Sequence, residues 1–166
     1  VLGVHISAVA VGSGHSLALS GVGALHSFGW GHHGALGHGD RADQLAPRLL
    51  TALQGVRVSA VAAGEAHTLA LSEAGRVYSF GSAGYGQLGH GNTAEQLTPH
   101  MIAGLQGVRV RSVAAGDSTS LAVTTDGEVY GWGRGVEDGV YDEEGQQDEE
   151  EPHPVLGLEL TEDQLV

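Results

Sequence analysis

The chain has 166 residues and a formal net charge of −13, with 20 acidic residues balanced by only seven cations, all Arg, and it has no Cys. That balance excludes a nucleic-acid-binding patch, which needs clustered cations against phosphate. The missing thiols exclude a disulfide framework, a thiolate metal site and a cysteine nucleophile.

Val4–Val11 is apolar and β-branched and stops at Gly12. His15–Ser20 alternates, with His15, Leu17 and Leu19 on one face and Ser16, Ala18 and Ser20 on the other, the period of a half-buried strand. The small second face lets a neighbouring layer approach closely. Gly21-Val22-Gly23 is turn chemistry, and Leu25–Phe28 reads as the return strand. A glycine-dense connection follows, Gly29 to Gly39, then a polar stretch to Gln44. Leu45, Leu49 and Leu53 sit at helical spacing, but Pro47 inside that run removes a donor and clashes with the preceding turn. A short edge strand opened by Pro47 is therefore expected.

This order repeats. Gly12, Gly64 and Gly116 are 52 residues apart, as are Leu17, Leu69 and Leu121, and Phe28-Gly29, Phe80-Gly81 and Trp132-Gly133 keep the same step. A fixed period near 50 residues with four short strands per unit and glycine turns between them is the signature of propeller blades. The expected fold is all-β, a partial β-propeller of three four-stranded blades. The blades are placed at about 4–50, 57–102 and 109–166, the last incomplete.

The third copy departs from the pattern at Gly135. Residues 136–151 hold nine acidic side chains and no basic one. Matching Leu156-Gly157 to Leu36-Gly37 gives an offset of 120 where two repeats give 104, so a 16-residue acidic insertion at 136–151 is expected, as a disordered loop. The chain, which does not open on Met, reads as a piece of a longer protein.

Val77-Tyr78-Ser79-Phe80-Gly81, Gly86-Gln87-Leu88-Gly89-His90-Gly91, Pro99, Val61-Ala62-Ala63-Gly64 and His67-Thr68-Leu69-Ala70-Leu71 together resemble the repeat of the regulator of chromosome condensation family. The resemblance covers nearly the whole chain outside the acidic stretch. It implies a seven-bladed propeller of which three blades are in view, with the remaining blades of the same propeller as neighbours. Three blades cannot close a ring, so exposed faces and self-association of the isolated chain are expected. The family includes an exchange factor for the small GTPase Ran, substrate-binding regions of HECT-type ubiquitin ligases and a plant ultraviolet-B receptor. The receptor's tryptophans stand in a Gly-Trp-Arg-His-Thr motif. The corresponding positions here, Ser13-Gly14, Glu65-Ala66 and Asp117-Ser118, hold neither Trp nor Arg, so ultraviolet sensing is not expected of these blades. Trp30 and Trp132 read as packing residues.

His15 and His67, replaced by Thr119 in the third copy, read as strand anchors that bond a neighbouring backbone. Binding residues are sought instead in loops held on a rigid scaffold. His32, His33 and His38 cluster in the first glycine loop, and Tyr85 and His90 lie in the second. The acidic stretch adds Asp142, Glu143, Glu144, Asp148, Glu149, Glu150 and Glu151 as a docking strip for a basic protein segment. No nucleophile–base constellation is present, the histidine spacing sets up no metal site, and no cofactor is expected. The reading is a non-catalytic protein-interaction propeller within a longer regulatory protein. Exchange on a Ran-like small GTPase and the substrate-binding region of a HECT-type ligase are the alternatives. No direct nucleic-acid or membrane contact is expected, and the compartment reads as cytoplasmic or nuclear.

Overall fold

The computed structural model describes residues 3–135 and 149–155. It contains twelve strands: β1 Ile6–Val11, β2 His15–Ser20, β3 Leu25–Gly29, β4 Gln44–Leu49, β5 Val58–Ala63, β6 His67–Ser72, β7 Val77–Gly81, β8 Gln96–Met101, β9 Val110–Ala115, β10 Thr119–Thr124, β11 Val129–Gly133 and β12 Glu149–Pro154. They form three four-stranded antiparallel sheets, β1–β4, β5–β8 and β9–β12, each a meander in chain order. In each sheet the first strand lies innermost, with β1 against β5 and β5 against β9, and the fourth lies at the outer edge.

The alternation in the second strand explains the stacking. Leu17 and Leu19 of β2, with Leu25 of β3, pack against Ala70 and Phe80 of the second sheet. One repeat on, Leu69, Leu71 and Val77 pack against Ala122 and Trp132 of the third. Large residues of one blade thus meet the alanine on the second strand of the next and the aromatic ring on its third, which is how period-two patterning becomes blade stacking. Each such leucine contributes about 1.5–3 kcal/mol through burial. Val9 and Val11 on the first sheet are 72% and 73% exposed, on the face that in the next blade is covered by its predecessor.

Two expectations are corrected. The outer strand begins at Gln44, before Pro47, because a bulge accommodates the proline. Ser27 and Gly29 oppose Arg48 and Gln44, so two steps on β3 match four on β4. The ring, which has no N–H to donate, sits where the ladder is interrupted. The same shift recurs at Ser79/Gly81 and at Gly131/Gly133.

The second correction concerns the acidic stretch. Residues 149–151 are strand, and the third sheet has its fourth member in β12. The third repeat's proline is Pro152, 53 residues after Pro99. Gly133 to Glu149 is 16 positions, against 15 for Gly29 to Gln44 and Gly81 to Gln96, so the connection is longer by one residue rather than 16. Local bonding agrees: Gly91 N–H donates to Glu150 O at 2.8 Å as Gly39 N–H donates to Leu97 O at 2.9 Å. Val155 N–H donates to Val129 O as Ile102 N–H donates to Val77 O. The acidic stretch replaces the glycine loop and is not added to it. Residues 136–148, where the disordered loop was expected, lie outside the described residues.

Candidate functional site

An antiparallel meander sends alternate connections to opposite ends of the sheet. The β1–β2, β5–β6 and β9–β10 turns share one end with the long β3–β4 and β7–β8 connections; this is the loop face. The β2–β3, β6–β7 and β10–β11 hairpins and the links between sheets lie at the other end. Arg134 and Glu149, which bracket residues 136–148, are on the loop face.

Hydrogen bonds between blades hold this face in place. His15 Nε2 lies 2.9 Å from Thr68 Oγ1, whose hydroxyl donates to Ala35 O at 2.9 Å. A hydroxyl has one proton and a carbonyl can only accept, so His15 Nε2–H is the donor. His67 Nε2 and Ser120 Oγ repeat the pair at 2.9 Å, with Ser120 donating to Gln87 O. Trp132 Nε1–H reaches the same carbonyl at 2.9 Å. The repeat histidines therefore bond a hydroxyl on the next blade. Burial lowers the pKa of His15, opposed in part by the His67 backbone. Burial, then the proximity of His15, takes His67 to about 4.

His38 and His90 turn inward to perform a similar task. Ser27 Oγ donates to Leu36 O at 2.7 Å and accepts from His38 Nε2 at 3.0 Å. Ser79 Oγ donates to Leu88 O at 2.7 Å and accepts from His90 Nε2 at 2.9 Å. These two histidines pin the glycine loops to the sheet. Ser79→Ala is expected to cost about 2 kcal/mol, since it strands a carbonyl and a ring N–H together. Denaturant melts should show that loss, and hydrogen exchange should show faster exchange at Gly89 and Gly91.

The other residues singled out from the sequence are on the surface. His33, at φ 57°, pairs with Glu95 of the second blade, which also takes Arg41 at 2.8 Å. The hydrogen bond from Arg41, then that from His33, lowers the Glu95 pKa. Tyr85 lies beneath the guanidinium of Arg134, 5.0 Å from the ring centroid. His32 stands edge-on to Trp30 at 6.0 Å. Glu149, Glu150 and Glu151 belong to β12, and Asp142, Glu143, Glu144 and Asp148 lie outside the described residues. Among the described residues no three His, Asp or Glu side chains converge as metal ligands.

Trp30 departs from the packing role expected of it. Trp132 is fully buried, as expected of a packing residue, but Trp30 is 63% exposed. Its backbone N–H donates to Gly14 O at 2.8 Å, and its indole lies so close to Gly14 that a Cβ there would come within 2.7 Å of Cε3. Trp30 and His32 line a cleft of about 200 Å³ together with Ser13 and Gly14 of the first blade and Glu65 of the second.

The regulator of chromosome condensation (RCC1) repeat model matches residues 22–71 and 74–123, and a second model of the same repeat matches 58–87 and 110–138. The chain belongs to the regulator of chromosome condensation repeat family. Within that family it is 40% identical over 131 residues to the ultraviolet-B receptor UVR8 of Arabidopsis thaliana, covering 79% of this chain and 30% of the receptor. It is 42% identical over 135 residues to the human E3 ubiquitin-protein ligase HERC2, covering 80% of this chain and 3% of the ligase. Among solved structures, Prp20p of Saccharomyces cerevisiae superposes with a TM-score of 0.79 at 28% identity, covering 93% of this chain and 39% of that one. The chain thus spans well under half of the family relatives it matches.

Proposed function

We propose that this chain is a non-catalytic part of a propeller whose loop face docks a protein partner, within a longer regulatory protein. The observation that carries the reading is Trp30, a large aromatic packed on Gly14 and left 63% exposed on the loop face. Exposed aromatic anchors on a fixed scaffold are what interface hot spots are made of. Prp20p, whose structure was described together with its binding properties to Gsp1p and histones, supports a protein partner in general.

A photo-cross-linker at His32 should capture the partner of the full-length protein, whereas one at Val22, 74% exposed at the opposite end, should not. Trp30→Ala should weaken that complex by about tenfold or more while leaving stability within about 0.5 kcal/mol. Capture from Val22 alone would overturn the reading. A second reading, nucleotide exchange on a small GTPase, takes its support from Prp20p and predicts accelerated nucleotide release from a Ran-type GTPase. A third, the substrate-binding region of a ubiquitin ligase, takes its support from HERC2 and places catalysis outside these blades.

A further inference from the structure

The loop face carries carboxylates, and their partners differ. Glu95 has Arg41 and His33, Asp43 accepts the Gly31 N–H, and Asp40 accepts the Ala42 N–H. Glu65 is exposed, and its side chain has no hydrogen bond or ion pair among the described residues. Its main chain is nonetheless fixed, the N–H donating to Asp117 O of the next blade at 3.0 Å. Glu65 therefore offers an exposed carboxylate from a fixed stretch of main chain, and it lines the same cleft as Trp30.

We propose that this cleft receives an arginine side chain from a segment of the protein partner, its guanidinium laid on the Trp30 indole and paired with the Glu65 carboxylate. The proposal rests on the loop-face reading and narrows it to one kind of side chain. Glycine at position 14 supports one side of the indole and leaves the rest open to solvent. The electron-rich face attracts a cation, and the planar guanidinium stacks on indole and bonds a carboxylate bidentately, which an ammonium cannot do. An apolar side chain in the cleft would bury Glu65 without a partner, and an anion would be repelled by it. One repeat along, the chain contains the same kind of contact, Arg134 over Tyr85 at 5.0 Å. The net charge of −13 draws a basic segment toward the molecule over long range.

The chain's two tryptophans make the test direct, because Trp132 is fully buried and acrylamide quenching reports Trp30. Acetyl-tetra-arginine amide titrated into the protein should shield Trp30 from acrylamide in a saturable manner. Tetra-citrulline, the neutral isostere, should not. By calorimetry, Glu65→Gln and Trp30→Ala should each weaken tetra-arginine binding roughly threefold to tenfold, and Asp126→Asn at the opposite end should leave it unchanged. Equal affinity of Glu65→Gln and wild type, or unshielded Trp30 at saturating peptide, would put the arginines elsewhere and overturn the assignment. The loop-face reading would survive that result, since it falls only to the cross-linking outcome at Val22.

Discussion

Gly64→Ala is expected to destabilise the protein by about 3 kcal/mol, the upper end for overpacking a rigid site. Gly116→Ala, the same position one repeat later, should be within about 0.5 kcal/mol of neutral or slightly stabilising, since alanine restricts the unfolded chain more than glycine does. The contrast comes from space. A Cβ at Gly64 would lie 2.1 Å from His67 Cε1, 2.4 Å from Nδ1 and 2.5 Å from Gly116 O. His67 is fully buried and tied to Ser120, so its ring cannot swing aside, and the carbonyl belongs to the backbone of the next blade. At Gly116 the nearest atom to a Cβ is Thr119 Cβ at 3.8 Å, an ordinary contact, because the third repeat has threonine in place of histidine. The two residues of the Gly-x-x-His unit are thus one steric device. Combining Gly64→Ala with His67→Thr should recover the part of the loss that is due to the ring, leaving the part due to Gly116 O. Equal melting midpoints for Gly64→Ala and Gly116→Ala would refute this account.

The same device shows how far the sequence could be read. Period two in His15–Ser20 and its copies encodes which side chains face which blade, and Leu17, Leu69, Ala70 and Ala122 stack as the alternation dictates. The 52-residue step encodes three sheets. Recurrence of His67 marked it as structural, although its partner, a hydroxyl 53 residues away on another sheet, follows from no local pattern. The end of the third repeat misleads because Leu156-Gly157, which follows the outer strand in sequence, has the same letters as Leu36-Gly37 and Leu88-Gly89 of the glycine loops. Matching letters there skipped Pro152 and turned a loop of different composition into an insertion. Trp30 was misread because it follows the last residue of β3, where alternation no longer says which way a side chain points. The only hint was its singularity: Ser82 and Arg134 stand at that position in the other repeats, so no packing role is shared. His38 and His90 show the converse. They recur at a 52-residue step inside loops, and that recurrence marks loop anchors of the kind that Ser27 and Ser79 reveal.

Stability is expected to fall with pH across the histidine range, by about 2 kcal/mol between pH 7.5 and pH 5 and about 3 kcal/mol by pH 4, through His67 alone. Burial, reinforced by nearby His15, lowers its folded pKa to about 4 from 6.5. Between those values the unfolded chain binds a proton that the folded chain does not, so stability rises with pH in that window. The contribution is fully present above about pH 6.5 and is lost as pH falls toward 4. The structural cause is visible at the ring. Nε2–H is committed to Ser120, and Nδ1 is buried with no hydrogen-bond partner among the described residues. Protonation would create an N–H at Nδ1 that has neither water nor an acceptor, and would place a charge in the seam between the second and third blades. His15 shifts in the same direction at the seam between the first and second, so its contribution adds to the slope. Glu95 acts at lower pH: its depressed carboxylate pKa contributes stability above the ordinary carboxylate value and loses it below, so comparing pH 7.5 with pH 5 isolates the histidines. Urea melts of wild type and His67→Gln at the two pH values separate the terms, since glutamine keeps an N–H donor but does not titrate. His67→Gln should start less stable and lose about 2 kcal/mol less on acidification. Parallel losses in the two proteins would show that His67 does not couple protonation to the packing of these blades.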